Sequence, residues 1–335
     1  MTSELPLPNK PTNIHLTDKR IEAWNNNGEF GSTLISGHLK DFYDKIVADK
    51  RPTSRQKSAL FTTEFEGNRY RCILAESIQG VGLTMRLLPS EALHLRDDLH
   101  LDPQMIFSLL KGSGLTLFAG KMGSGKSTTL YSALERMDKR DRGPIGTVED
   151  PIEGILSGPG VIQREVGTHV DSFANAIRDF MRQNRHTIAV SEIRDPETAN
   201  AAVQAALTGH SVAATIHSDS GPDTINRLYA LVDEKLSRIL PSALRGIHWQ
   251  DVVRFGDASR PPVTVYESIE VTHSVRQIIE AGPERFPQII GEMDRQGRKT
   301  MAQMASMLVS QRQLTHQEAE PFMARRGRFA EQSMR

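Results

Sequence analysis

The sequence predicts an α/β fold, with a mainly parallel sheet in its central part and a smaller α+β unit before it. Three observations support this prediction. From Leu115 onward, short apolar runs of the buried-strand type alternate with helical segments, which is the pattern of a parallel sheet with helices on its faces. The first run leads into a glycine-rich loop and a helix, the order of a phosphate-binding unit. Before Ser90, in contrast, β-rich runs are joined by short turn signals.

Residues 1–92 are predicted to form the smaller domain. A helix is expected over residues 39–48, and Glu66-Gly67-Asn68 is a hairpin signal. The single cysteine, Cys72, is expected to be a buried apolar thiol. The strand-like runs of this domain are residues 13–17, 59–65, 69–74 and 82–88.

The central domain is predicted over residues 102–258. It follows the stretch 93–101, which is charged and lacks a clear period, as a linker does. Asp102 and Pro103 predict a helix start, with the aspartate as N-cap and proline in the first turn. The predicted buried strands are the apolar runs 115–119, 145–148, 188–190 and 212–216.

Residues 259–335 are predicted to form a helical C-terminal region. Its clearest feature is a stripe at helical spacing, formed by Met301, Met304, Met307 and Leu308. A stripe of this kind belongs to a core more often than to a groove for a partner, so a core role is expected.

The bulk composition limits the possible classes of function. Of 335 residues, 38% are hydrophobic and 24% are charged, as in ordinary globular proteins. Lys and Arg number 41, as do Asp and Glu, so no direct nucleic-acid contact is expected from the net charge. One cysteine excludes an intrachain disulfide and a zinc site of several thiolates. Without an apolar stretch of about 18 residues or a secretory leader pattern, the chain is expected in the cytoplasm, reaching a membrane only through partners.

The strongest motif covers residues 120–128, Gly-Lys-Met-Gly-Ser-Gly-Lys-Ser-Thr, which satisfy the P-loop pattern Gly-x4-Gly-Lys-Ser/Thr. The glycines let the backbone approach a phosphate closely, and the N–H groups of the loop and of the helix start point towards it. Lys126 is expected to reach the β- and γ-phosphates, and Ser127 to hold Mg²⁺. ATP and Mg²⁺ are the predicted cofactors, and the predicted nucleotide-binding residues are Gly120, Gly123, Ser124, Gly125, Lys126, Ser127 and Thr128.

Acidic residues follow two of the predicted strands. Glu192 comes just after the run 188–190, and Glu149 and Glu153 come after the run 145–148. Because ligands of open α/β sheets lie at the carboxyl ends of the strands, these acids are expected to face the phosphates. Glu192 is the predicted water-activating residue, with an incidental solvated acid as the alternative. The predicted metal ligands are Ser127, Glu149, Glu153 and Glu192.

Two histidines bracket the run 212–216, namely His210 and His217. Their spacing is not the signature of a metal site. Two interpretations stay open: they are ordinary structural histidines, or they report the γ-phosphate to the rest of the molecule. Asp195, which precedes Pro196, is interpreted as a helix cap.

Taken together and in this order, these motifs resemble those of the secretion-ATPase superfamily of type II and type IV secretion, conjugation and type IV pili. The resemblance covers at least residues 110–230, including Gln163-Arg-Glu-Val-Gly167. Upstream, residues 13–16 resemble the start of the PAS-like N-terminal domain of the family. The four motifs are a Walker A at 120–128, an Asp box at 147–153, a Walker B at 188–195 and a His box at 208–218.

The resemblance implies a RecA-like ATPase domain, a PAS-like domain and a ring, usually a homo-hexamer, driven by ATP-dependent domain movement. It implies partners among the inner-membrane platform proteins of secretion or pilus machines. It also implies that Arg71 and Arg86 neutralise transition-state charge as arginine fingers do. The catalytic residues that it implies are Glu192, Glu149, Arg71, Arg86, His217 and His210.

The chain departs from the family pattern in three places. Ser191 stands where the family usually has glycine, and a side chain there is expected to crowd the catalytic loop and slow turnover. Arg185 and His186 replace a usual Pro-Asp pair. With one cysteine the chain lacks the tetracysteine motif of the type II branch, so together with Ile247-His-Trp-Gln250 the pattern looks closer to the retraction, conjugative and type IVB (Dot/Icm-like) ATPases.

Three functions are compatible with these motifs. A hexameric motor is favoured by the Asp and His boxes in register after the P-loop. A RecA-like nucleic-acid translocase predicts hydrolysis that nucleic acid stimulates and salt suppresses, which the balanced charge disfavours. A nucleotide-gated ring scaffold, suggested by Ser191, predicts ATP binding and assembly with little phosphate release.

Overall fold

The computed structural model describes residues 4–9, 11–25, 28–51, 58–255 and 260–323. They divide into two compact units. The first unit contains the described residues up to Glu91 together with the short segment Pro151–Gly154. The second unit contains Ala92–Asp150, Ile155–Phe255 and the described residues from Pro261 onward.

The first unit is built on a six-stranded antiparallel sheet in the order β3-β2-β1-β6-β5-β4. The helix α1 (Gly37–Lys50) buries Tyr43 and Ile46 against the sheet, and the Tyr43 hydroxyl donates a hydrogen bond to the carbonyl of Val81 at 2.7 Å. The strands are β1 (Asn13–Leu16), β2 (Arg20–Trp24), β3 (Phe30–Leu34), β4 (Ser58–Phe65), β5 (Asn68–Ser77) and β6 (Gly80–Leu87).

The β4–β5 hairpin turns at Glu66 and Gly67, as expected. Both residues have left-handed backbone angles, with φ of 49° and 74°, the combination that a tight two-residue hairpin requires. Cys72 on β5 is fully buried, and this burial raises the pKa of its thiol to about 12, so it is a core residue as predicted. Strands β2 and β3 were not predicted.

The second unit contains a seven-stranded sheet in the order β13-β12-β7-β11-β10-β8-β9. Six strands are parallel, and β13 is an antiparallel edge strand paired with β12. The predicted runs all form strands of this sheet. The strands are β7 (Gly114–Gly120), β8 (Ile145–Glu149), β9 (Val161–Glu165), β10 (Thr187–Val190), β11 (Ser211–His217), β12 (Leu244–Val253) and β13 (Val263–Glu270).

Helices cover both faces of this sheet. Phe118 and Ala213 pack on one face with α2 and α3, whereas Leu117 and Ala214 pack on the other with α5, α6, α7 and α9. Asp102 caps α2 through the N–H of Gln104, as its sequence predicts. The helices up to this point are α2 (Pro103–Leu110), α3 (Lys126–Arg136), α4 (Lys139–Arg142), α5 (Phe173–Arg182), α6 (Pro196–Leu207), α7 (Gly221–Leu231), α8 (Glu234–Ser237) and α9 (Leu240–Ala243).

The C-terminal region begins with a strand, which corrects the prediction of an entirely helical region from residue 259. Strand β13 is buried on both faces, with apolar and polar side chains alike inside, and it pairs with β12 along its whole length. Residues 256–259 and 324–335 lie outside the described part. The following helices are α10 (His273–Ala281), a 3-10 helix (Pro283–Gln288), α11 (Ile289–Arg295), α12 (Met301–Ser310) and α13 (His316–Met323).

The methionine stripe on α12 belongs to the core, as predicted. Met301, Met304 and Leu308 are buried, and Met307 packs against the same cluster while partly exposed. Among the described helices, none has both the length and the apolar character needed to cross a membrane.

Strand direction and register bring four strand ends of the second unit to one edge of the sheet. Gly120 at the end of β7 pairs with His217 at the end of β11. Val190 of β10 pairs with Ala214 of β11 and with Val148 of β8. We call this edge, where β7, β8, β10 and β11 end, the carboxyl edge. It carries the residues of the site described next.

Candidate nucleotide-binding site

The P-loop connects the end of β7 to the start of α3 at the carboxyl edge. Gly123 and Gly125 have φ of 74° and 83°, a left-handed backbone that turns successive N–H groups into a concave anion-binding loop. A Cβ atom at Gly120 would lie 2.2 Å from the carbonyl oxygen of Gln250, so only glycine fits there. The loop therefore needs its glycines both for its conformation and for its packing.

The Lys126 side chain is buried at the start of α3. Its Nζ donates a hydrogen bond to the carbonyl of Lys121 at 2.8 Å and lies 3.3 Å from Nδ1 of His217. Burial lowers the pKa of Lys126 to about 8, while the carboxylates of Glu192 and Asp251 act in the opposite direction. The ammonium group is thus held inside the loop by neutral acceptors.

His217 connects this lysine to Glu192. Its Nε2 lies 3.4 Å from Oε1 of Glu192. Burial and the neighbouring Lys126 cation lower the pKa of His217, so the imidazole is favoured in its neutral form. Because an ammonium can only donate, Nδ1 of the neutral ring accepts, and the proton sits on Nε2 facing the carboxylate. Lys126, His217 and Glu192 form a chain of contacts that we call the carboxyl-edge chain.

Glu149 lies at the end of β8, where two neighbours orient its carboxylate. Its Oε1 accepts hydrogen bonds from the Thr147 hydroxyl at 2.6 Å and from the Gln163 side-chain amide at 3.0 Å. Gln163 is on β9, the strand next to β8. The carboxylate therefore has a defined orientation at the carboxyl edge.

Ser191 joins β10 to Glu192 and is half-buried. Its N–H donates to the carbonyl of Val148 at 2.9 Å, and its own carbonyl accepts a hydrogen bond from the Thr215 hydroxyl. Both neighbouring strands thus fix the backbone that carries Glu192. Whether its side chain slows turnover stays a prediction.

His210 lies at the other end of β11, away from the P-loop. Its Nδ1 is 2.8 Å from the carbonyl of Arg185, and its carbonyl accepts from Gly114, the first residue of β7. A seven-residue strand separates it from His217 by about 20 Å. The prediction that His210 stands near the γ-phosphate is therefore wrong, because β11 is extended and places the residue before its first position and the residue at its last position at opposite edges of the sheet.

Asp195 caps helix α6, as interpreted from the sequence. Its carboxylate accepts hydrogen bonds from the Thr198 N–H at 2.9 Å and from the Thr198 hydroxyl at 2.8 Å. Both oxygens are therefore used in starting the helix, which is a structural role.

The two predicted arginines belong to the first unit and are cross-strand neighbours. Arg71 of β5 pairs directly with Arg86 of β6, so the two side chains share one face of the sheet. The Arg71 guanidinium donates to Oε1 of Glu153 at 2.7 Å, and Arg69 donates to the carbonyls of Glu153 and Ile152, each at 3.1 Å. Like charges directly opposite each other are unfavourable, so this face is suited to an anion.

Glu153 was predicted as a metal ligand together with residues of the P-loop. It lies in the segment Pro151–Gly154 of the first unit, where its carboxylate neutralises Arg71. Its role as a metal ligand stays a prediction.

Strand β12 and Arg254, the residue that follows it, contribute contacts to the P-loop that the sequence did not reveal. The Gln250 side-chain amide donates to the carbonyl of Ser124 at 2.6 Å, and the Arg254 guanidinium donates to the carbonyl of Gly123 at 2.6 Å. The Trp249 indole N–H donates to the carbonyl of Ser218, the residue after His217. In the sequence, residues 247–250 stood out only through the family resemblance, which implied no contact with the P-loop.

The residues present fit a nucleoside triphosphate with Mg²⁺. The Ser124 hydroxyl is buried in the loop without a hydrogen-bond partner among the described residues, and Ser127 is exposed at the start of α3. Within the described chain, no group of three His, Cys, Asp or Glu side chains could hold a metal ion by itself. A magnesium ion here would depend on phosphate oxygens and water for most of its ligands, as is usual for this ion.

Sequence comparison places these features in a family. The family model described as "Type II/IV secretion system protein" matches residues 69–335. Type II secretion system protein E of Pectobacterium carotovorum subsp. carotovorum is 42% identical over 243 residues, which cover 69% of this chain and 47% of that protein. Type II secretion system ATPase E of Vibrio cholerae serotype O1 is 39% identical over 234 residues, covering 67% and 44%. The chain spans about half the length of these curated relatives.

Solved structures extend the likeness to nearly the whole chain. The ATPase DotB of Legionella pneumophila has a TM-score of 0.78 at 23% identity, covering 94% of this chain and 92% of its own, a likeness of fold. The pilus retraction motor PilT with bound ADP has a TM-score of 0.78 at 27% identity, covering 93% of each chain. The P-loop and its sheet therefore have a RecA-like fold, and the chain belongs to the family of type II/IV secretion system proteins.

Proposed function

We propose that the chain is a Mg²⁺-dependent ATPase subunit of a homo-hexameric motor in a secretion, conjugation or pilus machine. The observation that carries the proposal is the carboxyl-edge chain, in which a P-loop lysine, a histidine and a strand-end glutamate are in contact. Family membership supports the same function. ATP-driven domain movement is the proposed output.

The proposed roles at the site follow from its geometry. The loop N–H groups and Lys126 bind the phosphates. Ser127, Glu149, Glu153 and Glu192 hold Mg²⁺, which neutralises phosphate charge when bound. Glu192, oriented by the N–H of His217, accepts a proton from the attacking water. Glu149 positions water or metal from the end of β8.

We propose that the first unit is a PAS-like domain whose Arg71 and Arg86 supply positive charge to the reaction. Their placement opposite each other on one sheet face supports this, because such a pair is stabilised by a bound anion. Arg71 is paired with Glu153 in the described state, so engaging a phosphate would require this ion pair to open. The proposed limits are 1–92 for the PAS-like domain and 93–101 for the linker, and we propose that the ATPase domain from residue 102 includes β13, which pairs with β12.

The proposed location is the cytoplasm, peripheral to the inner membrane through platform proteins. The balanced charge of 41 basic and 41 acidic residues supports partners other than nucleic acid. Two observations bear on the branch of the family. The curated relatives named above act in type II secretion, whereas the single cysteine and the full-length likeness to PilT favour a type IV or pilus-type machine.

Phosphate release by the purified protein tests this function. We expect ATP-dependent turnover that is lost in Glu192→Gln and Lys126→Ala, from a particle with the mass of six chains. Glu234→Gln is the matched control, because the Glu234 side chain is 82% exposed and forms an ion pair with Arg238, four residues further along the chain. Assembly on ATP without turnover would instead indicate a nucleotide-gated scaffold. Turnover that depends on nucleic acid would indicate a translocase.

A further inference from the structure

Three polar side chains are buried side by side on β12 and β13. His248 is 0% exposed, Gln250 is 1% exposed, and Ser268 is 2% exposed. A buried polar group lowers stability unless it is hydrogen-bonded, so apolar residues are the usual occupants of the inside of a sheet. Their presence at this place calls for a physical reason.

The three side chains form a continuous line of hydrogen bonds that ends on the P-loop. The Ser268 hydroxyl lies 2.7 Å from Nδ1 of His248, and Nε2 of His248 lies 2.9 Å from Oε1 of Gln250. The Gln250 amide then donates to the carbonyl of Ser124 at 2.6 Å. We call this line the β12 relay.

The direction of every bond in the relay is set by its last acceptor. The carbonyl of Ser124 can only accept, so the amide nitrogen of Gln250 faces it and the amide oxygen faces His248. That oxygen requires a proton on Nε2, which leaves Nδ1 to accept from the Ser268 hydroxyl. Burial lowers the pKa of His248 to about 4, in keeping with the neutral ring that this pattern needs.

The surrounding side chains hold the imidazole in place. The aromatic rings of Phe118 and Tyr266 both pack near the imidazole, with ring centroids 5.6 Å and 5.5 Å from the centroid of the His248 ring. The imidazole is therefore packed as well as hydrogen-bonded, and its Nε2 is presented to Gln250 in a fixed position.

The contact with Ser124 determines where a backbone N–H of the P-loop points. In a trans peptide the carbonyl and the following N–H point in opposite directions. A bond that holds the Ser124 carbonyl against β12 therefore directs the N–H of Gly125 away from β12. A Cβ at Gly125 would lie 3.1 Å from Nε2 of Gln250, so the loop and the amide are also in close contact.

We propose that Gln250 is a positioning residue for nucleotide binding, and that His248 and Ser268 hold its amide in the orientation that presets the P-loop. The proposal deepens the proposed ATPase function at the same site. Gln250 acts through the loop backbone. Its loss should weaken ground-state and transition-state binding alike, which raises KM more than it lowers kcat.

Substitutions that keep side-chain size test the relay. Gln250→Met retains the length and removes both hydrogen-bonding groups. We expect it to weaken ADP binding about tenfold, the effect of one well-placed hydrogen bond, with a parallel rise in KM for ATP and kcat within about threefold of wild type. Binding of a fluorescent ADP analogue, steady-state phosphate release and the thermal midpoint of the nucleotide-free protein are measured together. Gln204→Met, at an exposed position on α6, is the matched control.

A second pair of variants tests whether His248 holds the Gln250 side-chain amide in place. His248→Gln keeps an N–H donor near the place of Nε2, whereas His248→Leu keeps only bulk. We expect His248→Gln to recover most of the ADP affinity that His248→Leu loses.

Wild-type ADP affinity in Gln250→Met at an unchanged thermal midpoint would overturn the proposal. If that variant does not fold, equal ADP affinities of the two His248 variants would overturn it, because packing alone would then account for the buried histidine. ADP binding does not require turnover, so the relay can be tested even if the protein proves to be a scaffold.

Discussion

At the scale of single residues, the P-loop lysine is the most strongly perturbed group of the site. The Lys126 ammonium is buried beside a neutral histidine, an arrangement that disfavours its charge. The carbonyl of Lys121 compensates in part. A phosphate would favour the charged form much more strongly, so the loop holds a cation that gains most of its stabilisation on binding an anion.

This perturbation leads to a prediction about pH. In the free protein Lys126 loses its proton as pH rises through about 8, and a bound diphosphate raises this pKa. Below that pH the lysine is charged in both the free and the ADP-bound protein. Above that pH the free lysine is neutral, so it must take up a proton when ADP binds. We expect ADP affinity to be level between about pH 7, above the second pKa of the phosphate, and pH 8, and to fall above pH 8. Titration calorimetry at pH 8.5 in buffers of different ionisation heat should show proton uptake that is absent in Lys126→Ala.

His217 provides a second prediction. Its Nε2 lies 3.4 Å from the Glu192 carboxylate, which it positions in the proposed mechanism, so His217→Ala should lower kcat by a factor of about 10 to 100, less than the roughly 10²–10⁴ expected for Glu192→Gln. His210→Ala is the matched control, because His210 lies at the far end of the same strand, and kcat should stay within about twofold. Equal losses in the two histidine variants would contradict the assigned roles.

The sequence alone could predict the positions of residues that belong to the P-loop motif or that lie at the carboxyl end of a parallel strand. Lys126, Glu192 and His217 each follow or begin an element at the carboxyl edge, so a P-loop and the strand-end rule suffice to place them. His210 was misplaced because seven positions along a strand lead from one edge of the sheet to the other. The role of Gln250 at the P-loop could not be predicted, because its contact with Ser124 depends on the order of strands in the sheet.

At the scale of elements, β12 contacts two loops of the candidate nucleotide-binding site. It lies beside β7, and its side chains reach the P-loop through Gln250 and the loop after β11 through Trp249. Its sequence contains buried polar residues, so neither an alternating nor a fully apolar pattern marks it as a strand. The same difficulty explains why β13, its partner, was assigned to a helical region.

The helix α12 allows a test of the core at this scale. Met304 is 5% exposed, whereas Met307 on the same stripe is partly exposed. We expect Met304→Ala to lower the free energy of unfolding by about 2–5 kcal/mol through the lost apolar contacts and the cavity left behind. Met307→Ala should have a smaller effect. Urea denaturation of both variants measures this difference, and equal effects would place the stripe outside the core.

At the scale of the whole molecule, the fold class could be predicted because the alternation of apolar runs and helical segments is a local property of the chain. The expectation of a ring came from the family resemblance, because the spacing of hydrophobic residues carries no information on the oligomeric state. The first unit illustrates the limit. Its Arg71 and Arg86 are ordinary exposed or half-exposed strand residues by pattern, and only their cross-strand pairing makes them unusual. Pairing of this kind depends on register, which the sequence does not specify by itself.

Subunit mixing tests whether the proposed ring acts as a unit. If movement in one subunit requires hydrolysis in others, a Glu192→Gln subunit should also slow its wild-type neighbours. We therefore expect turnover to fall more steeply than in proportion as Glu192→Gln protein is mixed into wild type at constant total concentration, after disassembly and reassembly. Mixing with Glu234→Gln should leave turnover unchanged. A decline in strict proportion to the wild-type fraction would mean that each chain hydrolyses ATP independently, and the ring would then serve assembly instead of coupling.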